Sequence, residues 1–109
     1  MKVVHAISEQ ERTAGCTLYL LQQGIFYHAF GRCAAFMRAV TGYRVRTVRL
    51  GKGFTDQLGI PCAAIDCALH KVEKKYPDVT VCRTPGTPHY TLTLPSHVAA
   101  EILYEAATT

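Results

Sequence analysis

The sequence has no uninterrupted apolar run long enough to cross a lipid bilayer. Its opening segment, MKVVHAISEQERTAG, also contains too short an apolar stretch to act as a signal peptide. Both absences argue against a membrane-bound or exported protein. We therefore expect a soluble, cytoplasmic protein that has no membrane partner.

The sequence also lacks a CxxC pair, although it contains five cysteines. Zinc sites normally use cysteines at paired short spacings, and an odd count does not fit a complete set of disulfides. Most of the cysteines have apolar neighbours, as buried free thiols usually do. We expect no metal, no disulfide and no cofactor, and nothing marks a catalytic Cys–His pair. The cysteines are Cys16, Cys33, Cys62, Cys67 and Cys82.

Acidic residues are missing between Arg12 and Thr55, a segment that holds seven basic residues. The rest of the chain holds five basic and eight acidic residues, so the two parts carry +7 and −3 and sum to +4. A field concentrated in this way favours a polyanionic partner, although an ordinary solvated surface explains it equally well. The seven are Arg12, Arg32, Arg38, Arg44, Arg46, Arg49 and Lys52.

The first half of the chain predicts strands and one helix. MKVVHAI is typical of a short strand, and SEQERTAG is typical of a polar connector. TLYLLQQ and IFYHAF predict two strands that are joined by a bend at Gln23–Gly24. RCAAFMRAVTG predicts a helix ending at Gly42, and YRVRTVRL predicts a strand with Arg44 and Arg46 on one face. GKGFTDQLG predicts a loop, in which Phe54 is a loop anchor, as we prefer, or a second aromatic contact.

The second half predicts two further helices. IPCAAIDCALHKVEKKY is the clearest helix, with Pro61 in its first turn. DVTVCR and HYTLTL predict strands around a TPGTP turn, and Ser96 is the expected N-cap of a last helix. The whole pattern predicts one α+β domain over residues 1–109, with a single mixed β-sheet flanked by about three helices. Two helical crossovers between strands predict some parallel pairing.

Aromatic residues cluster in QQGIFYHAFG, residues 22–31. Because side chains alternate along a strand, Phe26 and His28 are expected on one face and Tyr27 on the other. We expect Phe26 to be exposed, and Tyr27 and Phe30 to be in the core.

Two segments resemble the amino-terminal domain, domain I, of MutS-type mismatch-repair proteins. GIFYHAFGRCAAFM resembles the family's G-D-F-Y-E-x-F segment, and GIPCAAIDCALHKVEKKYPDVTV resembles its G-I-P-x-x-A-x-(D)-x-x-(L) helix and the strand behind it. The resemblance covers about residues 18–83 and leaves residues 84–109 as an additional strand and a C-terminal helix. The matching positions are Gly24, Phe26, Tyr27, Phe30, Gly59, Ile60, Pro61, Ala64, Asp66 and Leu69.

The resemblance implies a stand-alone domain with a mixed sheet that touches DNA at a mismatch. In the family, the Phe inserts from the minor-groove side and stacks on the mispaired base, and a Glu two residues later hydrogen-bonds that base. Phe26 is therefore the candidate wedge, whereas His28 replaces the Glu and Ile25 replaces the Asp. Phosphate contacts are expected from Arg44, Arg46, Arg49 and Lys52.

The sequence thus predicts a non-enzymatic nucleic-acid-binding module that favours mismatched, distorted or single-stranded DNA. RNA is an alternative target, because stacking on a splayed base works there as well. The chain has no GxxxxGK[ST] phosphate loop, so we do not expect it to run an ATP-driven repair cycle alone.

Two other hypotheses stay open. The first is an adaptor that keeps the fold but has lost mismatch recognition, and that binds a protein of repair or mobile-element machinery. The second, which we rank far lower, is a small enzyme that uses Cys/His chemistry. The sequence does not specify the oligomeric state. It also does not specify whether mismatch selectivity survives at His28, which can donate or accept a hydrogen bond where the family has a carboxylate.

Overall fold

The structure is a computed structural model that describes the backbone of residues 1–108 and the side chains of residues 1–102. In that range the chain forms six strands and four α-helices, with a short 3₁₀ turn, Cys62–Ala64, before the third helix. The strands are β1 (Thr17–Gln23), β2 (Phe26–Phe30), β3 (Val45–Leu50), β4 (Gly53–Pro61), β5 (Thr80–Arg83) and β6 (Tyr90–Thr93). The helices are α1 (Val3–Arg12), α2 (Arg32–Thr41), α3 (Ile65–Lys75) and α4 (Ser96–Thr108).

The strands form one sheet in the order β3-β4-β2-β1-β6-β5, and each pairing is antiparallel. The predicted α+β class with a single sheet is therefore confirmed. The predicted mixed sheet is wrong, and so is the count of about three helices, since the described residues form four.

The predicted helical crossovers exist, but the strands that they join are not neighbours. β2 and β3, joined through α2, are both antiparallel to β4 and therefore run in the same direction. β4 lies between them. β4 and β5, joined through α3, also run in the same direction but are separated by β2, β1 and β6. The crossover rule therefore gave the strand directions correctly and the hydrogen-bonded partners incorrectly.

The segment predicted as a first strand is the helix α1, which also includes most of the predicted connector. Two consecutive valines favour a strand locally. The residues that face the sheet, however, recur at helical spacing: Val3, Ala6, Ile7 and Gln10. The last of these is polar, which conceals the pattern in the sequence.

The segment predicted as a Gly-bounded loop forms most of β4, a long strand of nine residues. It pairs with β3 from Leu50↔Gly53 to Val45↔Leu58, across a turn at Gly51 and Lys52. Pro61 ends β4 opposite Phe26 instead of starting the helix as predicted.

The ends of the remaining helices follow the sequence more closely. Gly42 ends α2 with a φ of 77° and donates its N–H to the Arg38 carbonyl, as predicted. At the start of α4, the Pro95 carbonyl accepts hydrogen bonds from the Val98 and Ala99 amides. Pro95 thus occupies the capping position predicted for Ser96.

Alternate residues of the strands supply two separate cores. Leu20, Tyr27 and Leu58 belong to the larger core, which packs against α2, α3 and α4. Leu21 and Phe30 belong to a smaller core beneath α1. Because successive strand residues point to opposite faces, the two cores lie on opposite faces of the sheet. We call the face that carries α1 the α1 face.

Candidate nucleic-acid interface

A tight hairpin between β1 and β2 positions the aromatic cluster. The last cross-strand pair is Gln23↔Phe26, so Gly24 and Ile25 form a two-residue turn. Gly24 has a φ of 63°, a left-handed conformation that glycine adopts without strain and that suits the first position of such a turn. The predicted bend at Gln23–Gly24 is therefore confirmed.

Alternation along β2 divides its aromatic side chains between the two faces. Phe26 is 38% exposed on the α1 face, whereas Tyr27 is buried on the other face and donates its hydroxyl to the Pro88 carbonyl at 2.8 Å. Phe30 is buried under α1. The exposure predicted for Phe26 and the core positions predicted for Tyr27 and Phe30 are confirmed.

The rings of Phe26 and His28 lie nearly parallel to each other on the α1 face of the sheet. Their centroids are 5.9 Å apart and their planes differ by only 10°. Both rings lie close to Gly59 of β4, where a Cβ atom would be 3.3 Å from His28 Cδ2 and 3.6 Å from Phe26 Cδ1. The absence of a side chain at Gly59 therefore allows both rings to lie against the sheet.

Two arginines border this aromatic surface. Phe26, His28, Arg44, Arg46, Gln57 and Gly59 line a hollow of about 400 Å³, which we call the aromatic hollow. Arg46 Nε donates to Gln57 Oε1 at 3.1 Å, which orients the guanidinium group. Among the side chains described, residues 1–102, no carboxylate forms an ion pair with Arg44 or Arg46. Their charges are therefore available to a ligand.

His28 is held in one orientation by Gln23. Its Nδ1 lies 2.6 Å from Gln23 Oε1, and with the amide in this orientation Nδ1 carries the proton. Burial, and then the positive charge of Arg46, lower the pKa of His28 below the ordinary value of 6.5. These effects favour the neutral imidazole, and in that form its Nε2 is a hydrogen-bond acceptor.

The remaining predicted contacts lie outside the aromatic hollow. Arg49 faces the opposite side of the sheet from Arg46, because the two are three residues apart on β3. Lys52 lies in the turn between β3 and β4. Phe54 is 73% exposed near that turn, so our preferred interpretation of it as a loop anchor is wrong.

Ion pairs with α1 neutralise part of the basic segment. Arg12 pairs with Glu9 at 2.8 Å, and Arg32 pairs with Glu11 at 2.9 Å. Both glutamates lie before the segment between Arg12 and Thr55 that has no acidic residue. The fold nevertheless places Glu11 in contact with Arg32. The positive charge therefore concentrates further towards β3 and its hairpin with β4.

Sequence reasoning missed Gln57 and Gly59 as part of the site. Both lie on β4, within residues 51–59, which were predicted to be a loop. If Leu58 and Ile60 are taken as inward-facing strand residues, Gln57 and Gly59 must face the other way. In the structure Gly59 is paired with His28, and Gln57 with Arg46. Alternation around two apolar residues was the signal that could have identified them.

The cysteines do not form a site. All five are free thiols, and only Cys33 is buried, whereas Cys67 and Cys82 are exposed. The expectation that most of them are buried is therefore wrong. Among the residues described, no group of three His, Cys, Asp or Glu side chains could hold a metal ion. No helix in the described part of the chain is both long and apolar enough to cross a membrane.

Comparison with known protein-family models finds no match, and comparison with curated proteins finds no similar sequence. The resemblance to MutS-type domains therefore rests on the motif residues quoted above.

Proposed function

We propose that the chain is a non-enzymatic nucleic-acid-binding module whose contact surface is the aromatic hollow. The observation that carries this proposal is the combination of two nearly parallel rings, Phe26 and His28, with two arginines that have no ion-pair partner among the described side chains. Parallel aromatic rings suit stacking with a nucleobase, and neighbouring guanidinium groups suit the phosphates of the nucleic-acid backbone.

This arrangement favours bases that are easily removed from a stack. Stacking a base on an aromatic side chain contributes about 1–3 kcal/mol. Removing a base from a matched duplex costs a few kcal/mol, and less at a mismatch or where the strand is already single. The balance therefore favours mismatched, distorted or single-stranded sites. The motif resemblance to MutS-type domains leads to the same class of ligand, with DNA as the expected polymer and the cytoplasm as the expected location.

Arg44 and Arg46 supply the sequence-independent part of the proposed binding. Guanidinium groups contact phosphates in a fixed fork geometry, which sets the register of the nucleic acid on the protein. Arg49 and Lys52 extend the positive charge along the hairpin formed by β3 and β4. In this proposal they add to the long-range attraction of the phosphates without contacting them directly.

Fluorescence anisotropy with labelled oligonucleotides tests the proposal. The ligands are a matched duplex, a G·T duplex, a one-base bulge, and single-stranded DNA and RNA of the same sequence. We expect the bulge and the single strands to bind best, and Phe26→Ala to weaken binding about 5- to 150-fold, the range that corresponds to the loss of one stacking contact. Phe54→Ala is the matched control, because it removes an exposed phenyl ring outside the aromatic hollow. Absence of binding to all five ligands at low salt would overturn the proposal.

One observation favours the adaptor role as a second candidate. An apolar cavity of about 200 Å³ lies between β1, α2 and α4, on the other side of the sheet from the aromatic hollow. Such a cavity can accept an apolar side chain of a protein partner. If no nucleic acid binds, a substitution in this cavity, Ala35→Trp, is the next variant to test in partner-capture experiments. The cavity is lined by Gly15, Leu18, Gly31, Arg32, Ala35, Phe36, Leu94, Ala99 and Ile102.

A further inference from the structure

Ile25 has the largest exposed fraction among the exposed large hydrophobic residues of the described chain, at 76%. It is the second residue of the turn between β1 and β2, and it immediately precedes Phe26. Ile25 belongs to neither of the two hydrophobic cores. The fold therefore gains nothing from an apolar side chain at this position.

The turn itself gives no reason for isoleucine either. Turns favour Gly, Asn, Asp, Ser and Pro, because their backbone or side-chain geometry suits a reversal of the chain. Gly24 already supplies the positive φ that this turn needs. A β-branched, apolar residue beside it is stiff at χ1 and exposed to water. Ile25 and Phe26 are consecutive and both exposed, so together they form an apolar patch beside the arginines of the aromatic hollow, and such a patch points to a contact with a ligand.

Hydrogen bonds hold the turn in a fixed position. The Ile25 carbonyl accepts the Cys62 N–H at 2.8 Å, which ties the turn to the end of β4. The Gln22 side chain donates to the Gly24 carbonyl at 3.4 Å. The backbone of Ile25 is therefore fixed by hydrogen bonds on both sides. Because the turn is already ordered, little conformational entropy is lost when the Ile25 side chain enters a ligand.

Ile25 and Phe26 are placed for different tasks. The Phe26 ring lies against the sheet, with its Cδ1 over Gly59, and forms one side of the aromatic hollow. Ile25 lies beyond the last cross-strand pair, and most of its side chain is exposed. A ring that lies against a sheet suits stacking with a base that has left the duplex. A side chain at the tip of a turn suits insertion between bases.

We propose that Ile25 is the wedge that enters a weakened base step, and that Phe26 and His28 receive the base displaced from it. Isoleucine is one of the apolar side chains that proteins insert between base pairs to unstack and kink a duplex. This inference rests on the proposed nucleic-acid function. It narrows the preferred ligand to a duplex with a bulge or mismatch, because a single strand contains no stacked step for Ile25 to open.

Two isoleucine variants and 2-aminopurine duplexes test this assignment. The wild-type protein should raise the fluorescence of a 2-aminopurine beside a bulge, because unstacking relieves the quenching of this base. Ile25→Ser should abolish the rise and weaken binding to the bulged duplex about 10- to 150-fold, the range expected when one buried apolar side chain is lost. It should change single-strand affinity less than about threefold, because a single strand contains no stacked step for Ile25 to open. Ile25→Leu keeps a branched apolar side chain and should retain both the fluorescence rise and the affinity for the bulged duplex.

The controls separate this inference from the proposed function. Phe54→Ser removes another exposed apolar side chain from a hairpin and should leave both signals unchanged. If Ile25→Ser leaves the bulge signal intact while Phe26→Ala removes binding, the wedge assignment is wrong and the proposed function stands. If Ile25→Ser weakens single-strand and bulge binding equally, Ile25 is an ordinary contact and the assignment is again wrong. If the wild-type protein binds no nucleic acid, both proposals fail.

Discussion

The imidazole ring of His28 lies nearly parallel to the phenyl ring of Phe26, with 5.9 Å between the ring centroids. Neither ring reaches this position through its own strand alone, because both lie over Gly59 of the neighbouring strand β4. The parallel arrangement of the two rings is therefore a property of three residues on two strands. This dependence can be tested without removing either ring.

Gly59→Ala should disturb the aromatic surface while preserving the fold. The φ angle of Gly59 is outside the left-handed region, so alanine causes no backbone strain there. Its Cβ would lie 3.3 Å from His28 Cδ2, and the imidazole would have to shift by a few tenths of an ångström. We expect altered ring chemical shifts of Phe26 and His28 by NMR and weaker single-strand binding. Gly53→Ala on the same strand is the control, since the atom nearest to its Cβ is the Leu50 carbonyl oxygen at 4.0 Å. Unchanged ring shifts in Gly59→Ala would contradict this account.

The pKa of His28 should respond to the charge of Arg46. Burial is the larger cause of its lowered pKa and Arg46 the smaller, so Arg46→Gln should raise the pKa of His28 only part of the way towards 6.5. Bound phosphates favour the protonated imidazole, so the pKa should rise in the complex and affinity should increase as pH falls through the pKa of the complex. NMR titration of the His28 ring measures both effects. Arg49→Gln is the control on the opposite face of the sheet, and a free-protein pKa at or above 6.5 would refute the assignment.

Salt dependence should identify the phosphate contacts individually. Each phosphate neutralised by a basic residue adds about 0.9 to the slope of log K against log salt for duplex DNA, and about 0.7 for a single strand. Arg44→Gln and Arg46→Gln should each reduce the slope by about this amount, with a similar effect on all sequences. Arg49→Gln and Lys52→Gln should reduce it less, because both residues lie outside the aromatic hollow. Lys71→Gln on α3 should leave it unchanged, and an equal loss in all five variants would show that binding is not localised at this face.

The sequence predicted local structure well wherever apolar spacing was unambiguous. The hairpin at Gly24, the helix that ends at Gly42 and the helix α3 all followed from patterns that a few neighbouring residues complete. The helix α1 did not, because its inward-facing row combines β-branched Val3 with the polar Gln10, and no local signal shows that Gln10 is buried. Tertiary contacts therefore overrode the local preference of the valines for a strand.

The candidate site could be predicted only where it lies within one strand. Alternation along β2 correctly placed Phe26 and His28 together. The approach of Arg44 and Arg46 to those rings depends on β4, which separates β2 from β3 and was predicted to be a loop. Two glycines and an acidic residue made β4 look irregular, although Leu58 and Ile60 already alternate as strand residues do. The alternation of apolar and polar residues within one segment does not predict which other strand will lie beside it.

Protonation of His89 should destabilise the protein in mild acid. Its Nδ1 accepts the Gln22 N–H at 3.0 Å, and burial is the main cause of its lowered pKa. An unfolded histidine binds its proton near pH 6.5, above the folded pKa, so this contribution to stability is present above pH 6.5 and is lost as pH falls through the folded pKa. His28 contributes with the same sign. Urea denaturation gives the free energy of unfolding at pH 7.5 and at pH 5.0. The difference between these two values should be smaller for His89→Gln than for wild type. His70→Gln on α3 is the control and should show the wild-type difference. Equal differences in all three proteins would contradict this prediction.

Gln10 should be the residue of α1 on which stability depends most. It is 1% exposed, and its amide bridges β1 and β2: Nε2 donates to the Phe30 carbonyl at 2.8 Å and Oε1 accepts the Tyr19 N–H at 3.1 Å. Leucine fills a similar volume but leaves both backbone groups without this partner, and each such loss costs about 1–3 kcal/mol. Gln10→Leu should therefore lower the free energy of unfolding by about 2–6 kcal/mol in urea denaturation.

A matched pair of variants separates the loss of these hydrogen bonds from a general weakening of α1. Ser8→Ala changes an exposed side chain on the same helix and should alter stability by less than about 0.5 kcal/mol. Gln10→Glu keeps an acceptor for the Tyr19 N–H but loses the donor to Phe30 and buries a carboxylate, so it should also destabilise, and less so as pH falls and the carboxyl is protonated. If Gln10→Leu were as stable as wild type, α1 would be held by apolar packing alone, and its position beside the aromatic hollow would not depend on the amide bridge.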